Sequence, residues 1–167
     1  MKQSNEMKFE LKSNLQAGQS IPEDYYGNEL GYSSKNLSPL LEWKNVPEGT
    51  KSFAVTVFDQ DAPTGSGFWH YVLFDVPVNT NRIGLGDLTR RKIPEGAIES
   101  LTDAGKPGYL GPCTPVGREH TYVFTVHALK VEKLGVSPAS TPGFVSFNLL
   151  ANLLGKASFV VKAGKQN

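Results

Sequence analysis

The residues most able to do chemistry fall into two groups. Asp59 and Asp61 end one apolar segment, and Trp69 and His70 open the next. A hairpin-like return between them would carry the acids close to the imidazole at the strand mouth. A carboxylate beside a histidine accepts one ring N–H, fixes which nitrogen faces outward and favours the charged ring. Starting from an ordinary value of about 6.5, an upward shift would leave much of His70 cationic at neutral pH, with its outward nitrogen a donor for an anion. The same residues also read as a structural hydrogen-bond cluster that closes the hairpin, and Trp69 as either a wall of the site or part of the core. His120 opens a later strand-like segment directly after a long loop, so it can project toward the same opening. Gly111 in that loop permits close approach of backbone to ligand, and neighbouring N–H groups are further donors. Pro63, Pro112 and Pro115 stiffen the rim by fixing φ. His127 lies seven positions after His120, so an uninterrupted strand turns it to the opposite face, outside the site.

Other chemistries have less support. Cys113 follows Gly111-Pro112 and precedes a histidine, the outline of a nucleophile, yet nothing nearby lowers its thiol pKa, and a lone cysteine also reads as a small buried apolar residue. His70, His120 and the aspartates are standard metal ligands, but no local pair has a recognised ligand spacing, so no metal or cofactor is expected. The G-x-S-x-G elbow of serine hydrolases is absent. A hydrolase is therefore the weakest reading, and binding without catalysis is preferred.

The elements that must position these residues are mostly strands. Segments rich in β-branched and aromatic residues recur between turn formers at Phe9–Lys12, Phe53–Phe58, Tyr71–Val76, Tyr122–Leu129 and Ser158–Lys162. Ser52–Phe58 is largely apolar on both alternating faces, as a central strand covered on two sides would be. Thr141 followed by Pro142 gives an N-cap and first-turn proline, and Phe144, Phe147, Ala151 and Leu154 then share one face of a helix ending near Gly155. The long Pro- and Gly-bearing connections 62–67 and 108–117 sit where binding sites usually do. With no repeat and no composition shift, 1–167 reads as one mainly β, antiparallel sandwich-like domain with a few small helices, its first seven residues a flexible end.

Charge excludes several classes. The chain has 17 basic and 16 acidic residues, so no global field would gather a nucleic acid or an anionic membrane, and anion recognition must be local. No apolar stretch reaches the ~18–20 residues that span a bilayer. The N-terminal residues lack a signal-peptide core, and the single cysteine cannot pair within the chain, which together predict a reducing cytosol.

Two longer motifs carry a resemblance. Phe53-Ala54-Val55-Thr56-Val57-Phe58-Asp59-Gln60-Asp61-Ala62-Pro63 with Gly67-Phe68-Trp69-His70-Tyr71, and Gly111-Pro112-Cys113-Thr114-Pro115-Val116-Gly117-Arg118-Glu119-His120-Thr121-Tyr122, resemble the two signatures of the phosphatidylethanolamine-binding proteins. The likeness extends to Asn36-Leu37-Ser38-Pro39-Leu40-Leu41-Glu42-Trp43 and through the last strand. It implies that family's antiparallel β-sandwich, with Asp59, Trp69, His70, Gly111, Pro112 and His120 forming an anion pocket for phosphate-like groups, and Asp61, Pro63 and Tyr122 as supporting wall. It also implies two kinds of partner: a kinase or protease docked on the pocket-side loops, and a second copy in a homodimer. A His120→Ala change separates the readings, since anion binding needs the imidazole and loop docking does not. Gln60, Thr114 and Thr121 stand where many members carry proline, proline and arginine, which alters rim stiffness and removes one charged contact. The short C-terminal end resembles the bacterial and archaeal branch, the Raf kinase inhibitor-like proteins, and implies a more open pocket mouth.

Overall fold

A computed structural model describes residues 7–166; most of the segment read as a flexible end lies outside the described residues. Among the described residues, eight strands form two antiparallel sheets. The smaller contains β1 (Glu10–Ser13), β2 (Leu41–Lys44) and β5 (Arg82–Ile83), in the order β1-β2-β5. The larger contains β3 (Ser52–Asp59), β4 (Phe68–Pro77), β6 (Ile98–Glu99), β7 (His120–Leu129) and β8 (Leu153–Ala163), in the order β6-β4-β3-β7-β8.

Alternation explains the packing. Leu11, Leu41, Trp43 and Ile83 of the small sheet meet Phe53, Val55, Val57, Tyr71, Leu73, Tyr122, Phe124, Val126, Phe159 and Val161 of the large one in a continuous apolar layer. The other face of the large sheet packs Ala54, Val72, Phe74 and Leu129 against Val145 and Leu149 of the only α-helix among the described residues, α1 (Pro142–Ala151). Strand β3 is therefore covered on both faces, which is why its sequence is apolar at successive positions.

The helix forms where expected, with the Thr141 hydroxyl accepting from Phe144 N–H and Pro142 in the first turn. It differs in two respects. It stops at Ala151, and Leu154 belongs to β8. The face carrying Phe144, Phe147 and Ala151 points to solvent, while Pro142, Val145 and Leu149 on the opposite side are buried. Both faces are apolar, so periodicity alone could not choose between them.

His127 does face away from His120. Its Nε2 lies 2.9 Å from the Thr56 hydroxyl on the helix-side face of the sheet. Burial, reinforced by Lys156, pulls its pKa from 6.5 down to about 4. Between these values the unfolded chain holds a proton that the folded chain does not, so stability is complete above pH 6.5 and is lost as pH falls toward 4. At about 1.4 kcal/mol per tenfold the loss is bounded near 3 kcal/mol, and partial exposure of the ring reduces it to about 2 kcal/mol. Urea melts at neutral and acidic pH should show this loss in the wild type, and His127→Gln should remove most of it. An unchanged acid sensitivity in the variant would assign the loss elsewhere.

Candidate functional site

The site is built at the C-terminal end of β3. Asp59 is the last residue of that strand, paired across to Phe68 on β4 and to Tyr122 on β7. It therefore stands between the two strands that supply the histidines. Asp59, His70 and His120 are 3%, 3% and 4% exposed, so these are core positions at the sheet end and not surface decoration.

Asp59 orients His120. Its Oδ2 accepts from His120 Nδ1 at 2.8 Å, and its Oδ1 accepts from Asp61 N–H at 2.9 Å. Both carboxylate oxygens are thus committed, and the His120 proton sits on Nδ1, leaving Nε2 as the ring atom without a partner among the described residues. This corrects the expectation that the acids hold His70. His70 is oriented by the loop: its Nδ1 lies 2.9 Å from the Leu110 carbonyl, which can only accept, while Leu110 N–H donates to the His70 carbonyl at 3.3 Å. The two histidines therefore present the same atom, Nε2, by different means. The His70 ring packs edge-on against Tyr122 with centroids 5.1 Å apart, linking it to the Asp59–His120 pair across β3.

The charge state of His70 also departs from expectation. Burial lowers its pKa below 6.5, outweighing the opposing pull of the Leu110 carbonyl and the Asp59 carboxylate. Free of ligand, the ring is neutral at pH 7 and its Nε2 is an acceptor.

Trp69 is not beside these groups. A bulge between Val57 and Phe58 leaves Trp69 opposite Phe58, with the two rings 4.4 Å apart on the helix-side face of the sheet. The aromatic neighbour of His70 is Phe68, with centroids 4.9 Å apart. Phe68 and His70, two apart, share a face, with Trp69 on the other, but the register shift between Trp69 and Tyr71 puts those two on opposite faces, so parity read along the whole strand does not predict the arrangement.

The remaining predicted residues serve mainly as scaffold. Asp61 is exposed and its Oδ2 accepts from Thr121 N–H at 2.7 Å, tying the end of β3 to β7. Pro63 is exposed on the connection to β4. The Tyr122 hydroxyl is 2.8 Å from the Thr114 hydroxyl, which pins the second loop over β7. Pro112 is buried, and its carbonyl accepts from Gly27 N–H at 2.9 Å. Gly111 N–H is no ligand donor, since it already donates to Asn36 Oδ1 at 2.6 Å. What requires glycine there is space: a Cβ would lie 2.6 Å from the Tyr25 carbonyl oxygen.

Asn36 is the positioning residue that the sequence reading passed over. It is buried with φ 55°, a left-handed conformation that asparagine tolerates better than most residues. Its side chain accepts from Gly111 N–H and donates to the Tyr109 carbonyl at 2.9 Å, while its backbone carbonyl accepts from the Thr89 hydroxyl. It thereby fixes the segment that carries the Leu110 carbonyl. Cys113 lies beyond, half-buried, with burial pushing its thiol up to about 11; it is protonated at neutral pH and not a poised nucleophile.

Among the described residues, no cluster of three or more His, Cys, Asp or Glu side chains is arranged to hold a metal ion. A cleft of about 950 Å³ runs between β1 and β8, lined by Phe9, Lys44, Lys156 and Phe159 and not by the imidazoles.

The chain belongs to the phosphatidylethanolamine-binding protein family, whose model matches residues 11–163. It is 41% identical over 149 residues to UPF0098 protein YbhB of Escherichia coli, covering 89% of this chain and 94% of that protein. It superimposes on the crystal structure of E. coli YbcL with a TM-score of 0.90 at 38% identity, covering 95% of this chain and 99% of that one. The Chlamydia trachomatis homologue CT736 shares the fold, with a TM-score of 0.78 at 23% identity. No helix among the described residues is long and apolar enough to cross a membrane.

Proposed function

We propose that this protein is a non-catalytic module that binds small anionic or phosphorylated groups, with Nε2 of His70 and His120 as its donors and Asp59 as the orienting acceptor. The observation that carries the reading is the shared commitment of both Nδ1 atoms to inward acceptors, 2.9 Å to the Leu110 carbonyl and 2.8 Å to Asp59. Each ring is locked in one tautomer and offers one nitrogen. A compact anion needs two or three such fixed groups, and a large cavity would add nothing to its recognition. Phe68 and Tyr122 give the seat apolar walls, which strengthens any hydrogen bond made inside it. The thiol of Cys113, protonated and turned toward the Gly111 carbonyl, does not supply a nucleophile.

Titration calorimetry with phosphate and phosphoethanolamine at mildly acidic pH tests the proposal. Hydrogen bonds to charged groups contribute ~1.5–3 kcal/mol, so His70→Ala and His120→Ala should each weaken binding by about 10- to 100-fold. Their thermal melts serve as the control for folding. Absence of binding by the wild type, or full affinity in either folded variant, would overturn it.

A further inference from the structure

The outer edge of the large sheet is only half covered. Strand β8 faces β7 with the backbone groups of its odd-numbered residues, so Lys156, Ser158, Val160 and Lys162 turn theirs the other way. Over the C-terminal half the chain covers this edge itself. Gly18 N–H donates to the Val160 carbonyl at 2.7 Å, Lys162 N–H to the Gln19 carbonyl at 2.9 Å and Ile21 N–H to the Lys162 carbonyl at 3.0 Å, with Ser20 bridged to Lys162 in parallel. The cover stops there. Lys156 and Ser158 are exposed, and neither their N–H nor their C=O groups have a backbone partner among the described residues. An open strand edge is a template on which another chain can pair.

We propose that Lys156–Ser158 receives an extended segment of a partner protein in which apolar and acidic residues alternate, laid into the cleft between β1 and β8. The side chains of an added strand point alternately to the two faces of the sheet. On the inner face the cleft is lined by Phe9, Ala157 and Phe159, which belong to the apolar layer between the sheets, so the partner's inner residues must be apolar. On the outer face Lys156 stands beside His127, and Lys8 and Lys44 complete the mouth. Lys44 is engaged by Glu10 at 3.6 Å, the one acid in the lining, while neither Lys8 nor Lys156 has an ion-pair partner among the described residues. The partner's outer residues are therefore acidic.

Backbone pairing supplies attraction to any extended chain, and the lysines decide which chain is admitted. A second copy of this protein would bring further lysines to a mouth that already holds three, which disfavours it. Residues 1–6 of the chain itself offer one acid, Glu6, and no apolar side chain after Met1, so they do not match the alternation. The added strand would continue the line of residues 18–21, with Ala17 at the junction. The imidazoles do not line this cleft, so the proposal stands apart from the anion seat.

The probe is a fluorescein-labelled peptide of about seven alternating aspartate and valine residues, titrated into the full chain to about 1 mM and followed by anisotropy. Binding should slow hydrogen exchange at the Lys156 and Ser158 amides by about tenfold or more, and leave Lys162, whose N–H is already held by Gln19, unchanged. Lys156→Glu, checked for folding by its thermal melt, should weaken binding by about 10-fold. Methylating the peptide nitrogens at alternate positions should weaken it by about tenfold or more in one of the two phases and much less in the other, because only one phase faces the edge. Absence of binding by the wild type, binding without protection at Lys156 and Ser158, equal tolerance of both methylated phases, or binding abolished by His70→Ala would overturn the proposal. Protection that grows with protein concentration alone would assign the edge to a second copy, and displacement of an unprotecting peptide by laurate would assign the cleft to an acyl chain; either result also overturns it.

Discussion

Replacing Asn36 with alanine should cost about 3–5 kcal/mol of stability and abolish anion binding without touching either histidine. Three effects combine. Gly111 N–H and the Tyr109 carbonyl, both at buried residues, lose the partners they hold at 2.6 and 2.9 Å. Each unsatisfied buried backbone group costs ~1–3 kcal/mol. The φ of 55° is then imposed on a residue with a Cβ and no compensating polar side chain, at ~1 kcal/mol or more. Asn36→Gly separates the terms, because it removes the same hydrogen bonds but relieves the backbone, and it should be more stable than Asn36→Ala by about 1 kcal/mol. Both variants free the segment that carries the Leu110 carbonyl, so His70 loses the acceptor that fixes its tautomer. Urea denaturation together with calorimetry would check both halves. Wild-type affinity in a folded Asn36→Gly would show that the loop does not position His70.

Why Asn36 escaped a reading of the sequence, while Asp59 and His120 did not, is a matter of where each signal lies. The strands that carry the acid and the imidazole are long and apolar on one or both faces, so β3, β4 and β7 are legible within a few residues, whereas the reading reaches only the second half of β8, from Ser158. An aspartate or histidine at the end of such a strand stands out by its polarity. Asn36 sits among polar loop residues, and its importance comes from contacts with Tyr109 and Gly111 more than 70 positions away. The two-residue strands β5 and β6 are illegible for the related reason that they pair only through neighbours already in place. Trp69 shows a different failure. Its identity suggested a binding wall, but the register shift between Trp69 and Tyr71 turns it to the face of Phe58, away from that of Tyr71, and such a bulge leaves no trace in composition. The helix was found by its cap, whereas its orientation required knowing which of two apolar faces the sheet would take.

Sulfate should bind more tightly near pH 6 than near pH 8, by up to about 100-fold for each proton taken up with the anion. The geometry forces this coupling. His70 Nδ1 must carry a proton because the Leu110 carbonyl can only accept, so a neutral ring turns a lone pair toward the seat. An anion can be held there only after Nε2 is protonated as well. Burial keeps the free ring below its ordinary 6.5, so above neutrality nearly every molecule must first bind a proton. The charges that face the ring are Asp59 and Asp103, both of which favour the cation, and a bound anion adds to them. Protonation and anion binding therefore reinforce each other, and affinity is present at low pH and lost as pH rises, by up to tenfold per unit for one proton. Sulfate is the suitable probe because it does not titrate in this range, unlike phosphate. Calorimetry in two buffers of different ionisation enthalpy counts the protons directly, and His70→Ala should flatten the profile as well as weaken binding. An affinity independent of pH would mean that the anion is held by backbone donors, and that His70 Nε2 keeps its lone pair in the complex.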